Sequence, residues 1–196
     1  MLYKLFLNKG GINMNAFKTG GDYAEYFEWA DGNVNNEDYI GYFVELDTNK
    51  IRIASGTKNI LGIISATPAV IAFHPNNTKF DQFLVDEFGK FRKELQEITY
   101  DSPQYNPDTD QYEHIQITET IEVKIPNPIY DPSANREQDP AWAVVGILGQ
   151  IRVRDDGTCT PGGYCKCNEN GVATSSEEGY YVMDRISENV VRILFK

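Results

Sequence analysis

The sequence predicts a mainly β domain, built as a compact strand meander or a barrel-like fold. Apolar segments of strand length recur along the chain, and each is bounded by Asp, Asn, Gly or Pro residues that favour turns. The 10 Phe and 12 Tyr residues suit the half-buried surfaces of strands. No heptad, collagen-like or other internal repeat appears. We therefore expect a single domain with an N-terminal arm and room for one short helix.

Strand-like segments follow one another from Tyr39 to the end of the sequence. The first is the alternating segment YIGYFVELD, which is followed by IRIA and by NILGIISATPAVIAF. The segment IQITETIEVKI alternates strictly and predicts a strand or one arm of a hairpin. AWAVVGILGQIRVR is the most strongly apolar strand region, and GYYVMDRISENVVRILFK predicts two strands joined by a turn.

Three stretches are expected to lie outside this meander. Residues 1–21 contain two glycine pairs and predict an arm with one or two short strands. In residues 79–98 the apolar side chains fit one helical face, and we expect a short helix up to Phe88, a turn at Gly89 and then an extended or helical continuation. Residues 100–113 are polar and contain two prolines, so we expect an exposed loop there, within a domain that spans residues 22–196.

The charge of the chain argues against two classes of partner. There are 18 Lys and Arg residues and 29 Asp and Glu residues, which give a formal net charge of -11. An acidic surface repels phosphate backbones and anionic lipids, so we expect neither nucleic acid nor a membrane as a partner. No apolar stretch approaches the ~20 residues that span a bilayer. The N-terminal residues lack the features of a signal peptide, so we expect a product that is not secreted by that route.

The cysteines and histidines are the candidates for metal binding. Cys159, Cys165 and Cys167 could supply three thiolates, but a tetrahedral site needs a fourth ligand, and His74 and His114 are distant in sequence. An odd number of cysteines in a non-secreted chain also argues against a disulfide framework. We therefore expect reduced thiols, and neither a metal nor an organic cofactor. Neither histidine has the spaced acid and nucleophile of a catalytic triad.

One acidic and aromatic segment, GDYAEYFEW at residues 21–29, is the candidate for chemistry. Asp22, Glu25 and Glu28 lie three residues apart in it. In a helix the three carboxylates would share one face, and their crowding among aromatic side chains would raise the pKa of one of them. In a strand, Asp22 and Glu25 would point to opposite faces. The spacing leaves both conformations open, and such segments are more often structural than catalytic.

A series of segments resembles a known family. In chain order they are GDYAEYFEWADGN, GYFVELDTNKIRIA, ILGIISATPAVI, DEFGK, NPIYDPS, AWAVVGILGQIRVRDDGTC, GGYCKCNENGVATSS and GYYVMDRISENVVRILFK. Together they resemble the intramolecular-chaperone autoproteolytic cleavage domain, a glutamic-type self-cleaving peptidase found in phage neck-appendage and tail-spike proteins, with relatives in other large DNA viruses. The resemblance runs from about residue 21 to residue 196.

This resemblance implies both an activity and a site. In the family the domain assists trimerisation of a spike and then cuts the chain just before the Asp of a D-Y-A-E motif. That motif begins here at Asp22, so the resemblance implies a scissile Gly21–Asp22 bond, with Asp22 and Glu25 as the catalytic carboxylates. It also implies a homotrimer, located in the virion or in the host cytoplasm during assembly.

The residue types at this site suit such a reaction. Two carboxyl groups in different protonation states can activate water and protonate the leaving amine, and Gly21 tolerates backbone angles that other residues resist.

Only 21 residues precede Asp22, where the family has a long spike. The alternative is therefore a non-enzymatic virion structural or assembly protein with the same fold. A host-receptor or glycan-binding module has only the aromatic content in its favour.

Overall fold

The computed structural model describes residues 20–72 and 75–196, so His74 and almost all of the expected N-terminal arm lie outside the described residues. The chain divides into two units. The first contains the described residues up to 72 together with residues 136–196, and the second contains residues 75–135.

Strands account for nearly all the regular structure in the described residues. In chain order they are β1 Gly21–Glu28, β2 Phe43–Asp47, β3 Lys50–Ile53, β4 Ile60–Ile64, β5 Val70–Ala72, β6 Lys93–Asn106, β7 Gln111–Lys124, β8 Trp142–Arg154, β9 Tyr164–Cys167, β10 Ala173–Ser176, β11 Tyr180–Ser187 and β12 Val190–Phe195. Arg136–Gln138 forms a single 3₁₀ turn. No described helix is long or apolar enough to cross a bilayer. The prediction of a mainly β fold is confirmed.

The first unit contains a mixed sheet of ten strands. Eight of them are ordered β10-β9-β11-β12-β8-β4-β2-β3, and β1 lies between β8, its antiparallel partner, and β5, its parallel partner. Strand β8 is 13 residues long and pairs with β1, β4 and β12. Among the described residues, the most apolar segment of the sequence is therefore the strand with the most partners.

The sheet of the first unit has an apolar cluster on each face. Phe43 and Val44 are consecutive in β2, and they belong to different clusters because successive strand side chains point to opposite faces. Val145 and Ile151 of β8 also belong to different clusters, although their even spacing would put them on one face of a regular strand. A register shift in β8, opposite Tyr23 and Ala24, accounts for the switch, because one extra residue reverses the alternation.

The second unit contains a two-stranded ribbon of β6 and β7, which corrects the expected loop at residues 100–113. Each strand has 14 residues, and their pairing continues to Asn106 and Gln111. Cross-strand pairs stabilise the ribbon, with the rings of Tyr105 and Tyr112 5.5 Å apart. Pro103 is tolerated because a two-stranded ribbon leaves one edge of each strand unpaired.

The short helix expected at residues 79–88 is also corrected, because this stretch consists of turns and isolated bridges. The side chain of Asn77 binds both the backbone N–H and the backbone C=O of Val85, at 2.7 and 3.1 Å. Backbone groups that a helix would use are therefore bonded to a side chain instead. The expected turn at Gly89 is present, with φ 76° and a bond from its N–H to the Asp86 carbonyl.

Candidate active site

The acidic segment is a strand, so the helical alternative for its carboxylates does not hold. Strand β1 pairs with β8 from Gly21 to Glu28 and with β5 from Tyr23 to Glu25. Its backbone groups are thus shared with strands on both sides, which is incompatible with the bonding of a helix. The carbonyl of Asp22 also accepts a hydrogen bond from the Ala69 N–H at 2.8 Å.

The Asp22 side chain points into the protein. It is only 5% exposed, and its Oδ2 atom has no hydrogen-bond partner among the described residues. Burial raises the pKa of Asp22, an effect partly offset by hydrogen bonding from the Ser65 hydroxyl and from the backbone N–H of Asp22 itself. That N–H belongs to the Gly21–Asp22 peptide bond. A carboxyl group that retains its proton more readily than usual therefore lies beside the amide nitrogen of this bond.

A cleft of about 960 Å³ borders the same peptide bond. Its lining includes Gly20, Gly21, Asp22 and Ser65, together with the arginines of β8. Gly21 is exposed, whereas the side chain of Asp22 is buried. Solvent can therefore reach the peptide from the Gly21 side, while the acidic group beside its nitrogen stays largely dry.

Glu25 does not join Asp22 within one chain. In β1 these residues are three positions apart, so their side chains project from opposite faces of the strand. The Glu25 carboxylate accepts a 2.8 Å hydrogen bond from the Tyr23 hydroxyl, which shares its face and whose pKa is raised by that bond. The third carboxylate, Glu28, forms an ion pair with Lys50 at 2.9 Å. The structure therefore presents two separated acids and one structural ion pair.

The family model of the Peptidase_G2, IMC autoproteolytic cleavage domain matches residues 7–191. The chain belongs to this family. The pre-neck appendage protein of Bacillus phage B103 is 33% identical over 166 residues, and the preneck appendage protein of Bacillus phage PZA is 35% identical over 162 residues. These alignments cover 82% and 78% of this chain but only 17% and 16% of the relatives. The chain thus spans about a sixth of the length of these proteins.

The structural comparison agrees with the sequence comparison. The crystal structure of a C-terminal fragment of bacteriophage phi29 gene product 12 superposes with a TM-score of 0.60 at 31% sequence identity. The match covers 89% of this chain and 100% of that fragment. The family resemblance predicted from the sequence segments is confirmed.

The cysteines of this Peptidase_G2 domain lie in its apolar core. All three are buried, and burial raises the pKa of each thiol, to about 11 for Cys165 and for Cys167. Thiols with such pKa values are poor nucleophiles near neutral pH. Within residues 20–72 and 75–196 no group of three or more His, Cys, Asp or Glu side chains could hold a metal ion.

Sequence reasoning missed several neighbours of the site in this Peptidase_G2 domain. Ser65 was not singled out, because it reaches Asp22 from a strand end more than forty residues away. Gly149, which pairs with Asp22, and Gly146, which lies against the Asp22 carboxyl group, were missed as well. Here a signal was available, since an isolated glycine inside an apolar strand pattern indicates a bulge or a close backbone approach.

Proposed function

We propose that this domain cuts its own chain at the Gly21–Asp22 bond, after assisting the trimeric assembly of a phage appendage. The observation that carries the proposal is the buried Asp22 carboxyl beside the amide nitrogen of a peptide whose Gly21 side borders an open cleft. Membership of the Peptidase_G2 family supports the reaction type. The names of the relatives support the setting of a phage appendage during virion assembly.

The proposed reaction is hydrolysis by two carboxyl groups. A base removes a proton from a water molecule, whose oxygen bonds to the Gly21 carbonyl carbon. The bond between that carbon and the Asp22 nitrogen then breaks, and the protonated Asp22 carboxyl gives its proton to the leaving amine. The raised pKa of Asp22 increases the protonated fraction that can perform this step. Because the two carboxyl groups and the peptide to be cut belong to one assembly, no separate substrate has to be bound.

Glu25 is the proposed base, and it would act on another copy of the chain. Its side chain projects from the face of β1 opposite Asp22, and it does not line the cleft beside Gly21. Glu25 of one subunit would instead approach the Gly21 carbonyl of a neighbour. Cleavage would then require the trimer, so that the chain is cut only after it has assembled.

Mixing two inactive variants tests this arrangement. Asp22→Asn and Glu25→Gln should each stay at full length, while Glu28→Gln, a matched control on the same strand, should be cut like the natural sequence. When the two inactive variants are unfolded and refolded together, the Glu25→Gln chain should be cut and the Asp22→Asn chain should not. The Asp22→Asn chain still supplies Glu25 in trans but has lost its own proton donor.

Intact-mass spectrometry gives the readout, because cleavage removes residues 1–21 as one fragment. A mixture in which neither chain is cut would exclude the proposed role of Glu25 in trans. A natural chain that remains at full length as a trimer would favour the alternative, a non-enzymatic virion assembly protein. The observation that supports this alternative is that Asp22 and Glu25 lie on opposite faces of β1 within one chain.

A further inference from the structure

Strand β8 departs from regular geometry opposite Tyr23 and Ala24, next to the Gly21–Asp22 bond. Asp22 pairs with Gly149 and Tyr23 with Leu148, but Ala24 pairs with Gly146, which leaves Ile147 as an extra residue. The extra residue makes a β-bulge, with Gly146 directly before it and Gly149 two residues after it. Bulges often mark places where a strand re-aims a side chain near an active site.

The backbone of Gly149 lies against the Gly21–Asp22 peptide bond. Its φ of +118° lies in a region that side-chain-bearing residues rarely adopt. A Cβ at this position would lie 2.4 Å from the Gly21 carbonyl oxygen and 2.9 Å from the Asp22 Cα. Any side chain here would therefore press on the carbonyl that water must attack.

Gly146 leaves room for the Asp22 carboxyl group. Its φ is not positive, so its backbone conformation alone does not require glycine. A Cβ would lie 2.6 Å from the Asp22 Oδ2 atom and 2.7 Å from the Ile151 Cδ1 atom. The missing side chain thus leaves the space in which this carboxyl oxygen sits.

We propose that Gly146 and Gly149 are positioning residues for self-cleavage, with Gly149 holding the Gly21 carbonyl open to attack and Gly146 holding a cavity for the Asp22 carboxyl. This inference rests on the proposed cleavage at Gly21–Asp22. The rival explanation is that both glycines serve only the packing of β8 against its neighbours.

Alanine at each position should change the reaction in a different way. Gly149→Ala should lower the single-turnover cleavage rate at least tenfold at every pH, without moving the pH–rate profile, because it displaces the carbonyl and not the acid. Gly146→Ala should push the Asp22 carboxyl towards solvent. The pH above which the rate declines should then fall by about one unit, because a less buried acid loses its proton at lower pH.

Two further variants separate positioning from packing. Gly157 has φ +92° with nothing within 4 Å of a Cβ, so Gly157→Ala introduces similar backbone strain away from the site and should be cut at the normal rate. In Gly146→Ala/Ile151→Val the Ile151 Cδ1 atom is removed, which relieves one of the two clashes and leaves the one with Asp22. The double variant should regain much of the thermal midpoint lost by Gly146→Ala and should keep the displaced pH–rate profile.

The rates are measured by intact mass on refolded trimers, with thermal unfolding recorded for each variant. Restoration of the normal profile in the double variant would show that Gly146 serves packing alone and would overturn its assignment. A Gly149→Ala chain that folds and is cut at the normal rate would overturn the assignment of Gly149 as a positioning residue. If the natural chain is never cut, the proposed function fails together with this inference. If it is cut and the glycine variants behave normally, only the inference fails.

Discussion

Replacing Asp22 by Asn should stabilise the folded domain at neutral pH. Burial raises the pKa of Asp22, so the folded chain binds this proton more tightly than the unfolded chain does. Asp22 therefore contributes stability below its unfolded-state pKa, near 3.8, and this contribution is lost as the pH rises through the folded-state pKa. Above that pH the fold carries a charged group whose Oδ2 atom has no hydrogen-bond partner in the described part of the chain.

The size of the effect follows from the charge on that unpartnered group. Leaving a buried polar atom without a partner costs about 1–3 kcal/mol, and more when the group is charged. Asn keeps an unpartnered polar atom and removes only the additional cost of the charge, so we expect a gain of about 1–2 kcal/mol at pH 7. For a chain of this length that gain corresponds to a rise in the melting temperature of about 2–8 °C.

The comparison should use chains that cannot cut themselves. Glu25→Gln and Asp22→Asn/Glu25→Gln would be unfolded thermally at pH 7 and at pH 4, where much of the carboxyl group is protonated. The stabilisation should be clear at pH 7 and should shrink at pH 4, since the raised pKa of Asp22 then leaves a larger fraction of the folded chain with a protonated, uncharged carboxyl group. Equal differences at the two pH values, or a loss of stability at pH 7, would show that the Asp22 charge does not destabilise the fold.

Two further predictions concern the core. In a denaturant titration, Arg185→Met should lower the free energy of unfolding by about 3–5 kcal/mol. The reason is that the fully buried Asp155 carboxylate, 2.6 Å from the Arg185 guanidinium, loses its charged partner. Arg192→Met is the control, because it breaks a more exposed ion pair and should lower the free energy of unfolding by less than about 1 kcal/mol. Cys165 and Cys167 should resist a thiol reagent at pH 8 in the folded chain and react when denaturant is added, and rapid labelling of the folded protein would contradict their burial.

Several strands of the sheet, such as β2, β8 and β12, were predictable because their own segments carry a strand-like apolar pattern. In β8 the pattern selects Val145, Ile151 and Val153, which the sheet buries. The conformation of β1 was not predictable in this way. Its carboxylates fit both helical and extended spacing, and the choice is made by β5 and β8, which pair with it from distant parts of the chain.

The errors at residues 79–88 and 100–113 have identifiable physical causes. Residues 100–113 have the composition of a loop, but their pairing depends on contacts between opposite strands that no single segment displays. Residues 79–88 have helical spacing, but Asn77 binds the backbone of Val85 from outside that window. At residues 79–88 the deciding partner lies outside the stretch, and at residues 100–113 the pairing continues beyond it to residues 114–117.

The position of the Gly21–Asp22 bond at the first step of β1 determines what a cut would leave behind. Among the described residues, the pairing of Gly21 with Gln150 is the only one upstream of that bond, and every pairing from Asp22 to Glu28 lies downstream. Hydrolysis would therefore sever the chain without dismantling the sheet, and the new α-ammonium group would be formed beside the buried Asp22 carboxylate. This α-ammonium group would be a counter-ion for the Asp22 carboxylate, whose Oδ2 atom has no partner among the described residues. The cleaved domain would therefore stay folded after its single turnover, with its buried charge neutralised.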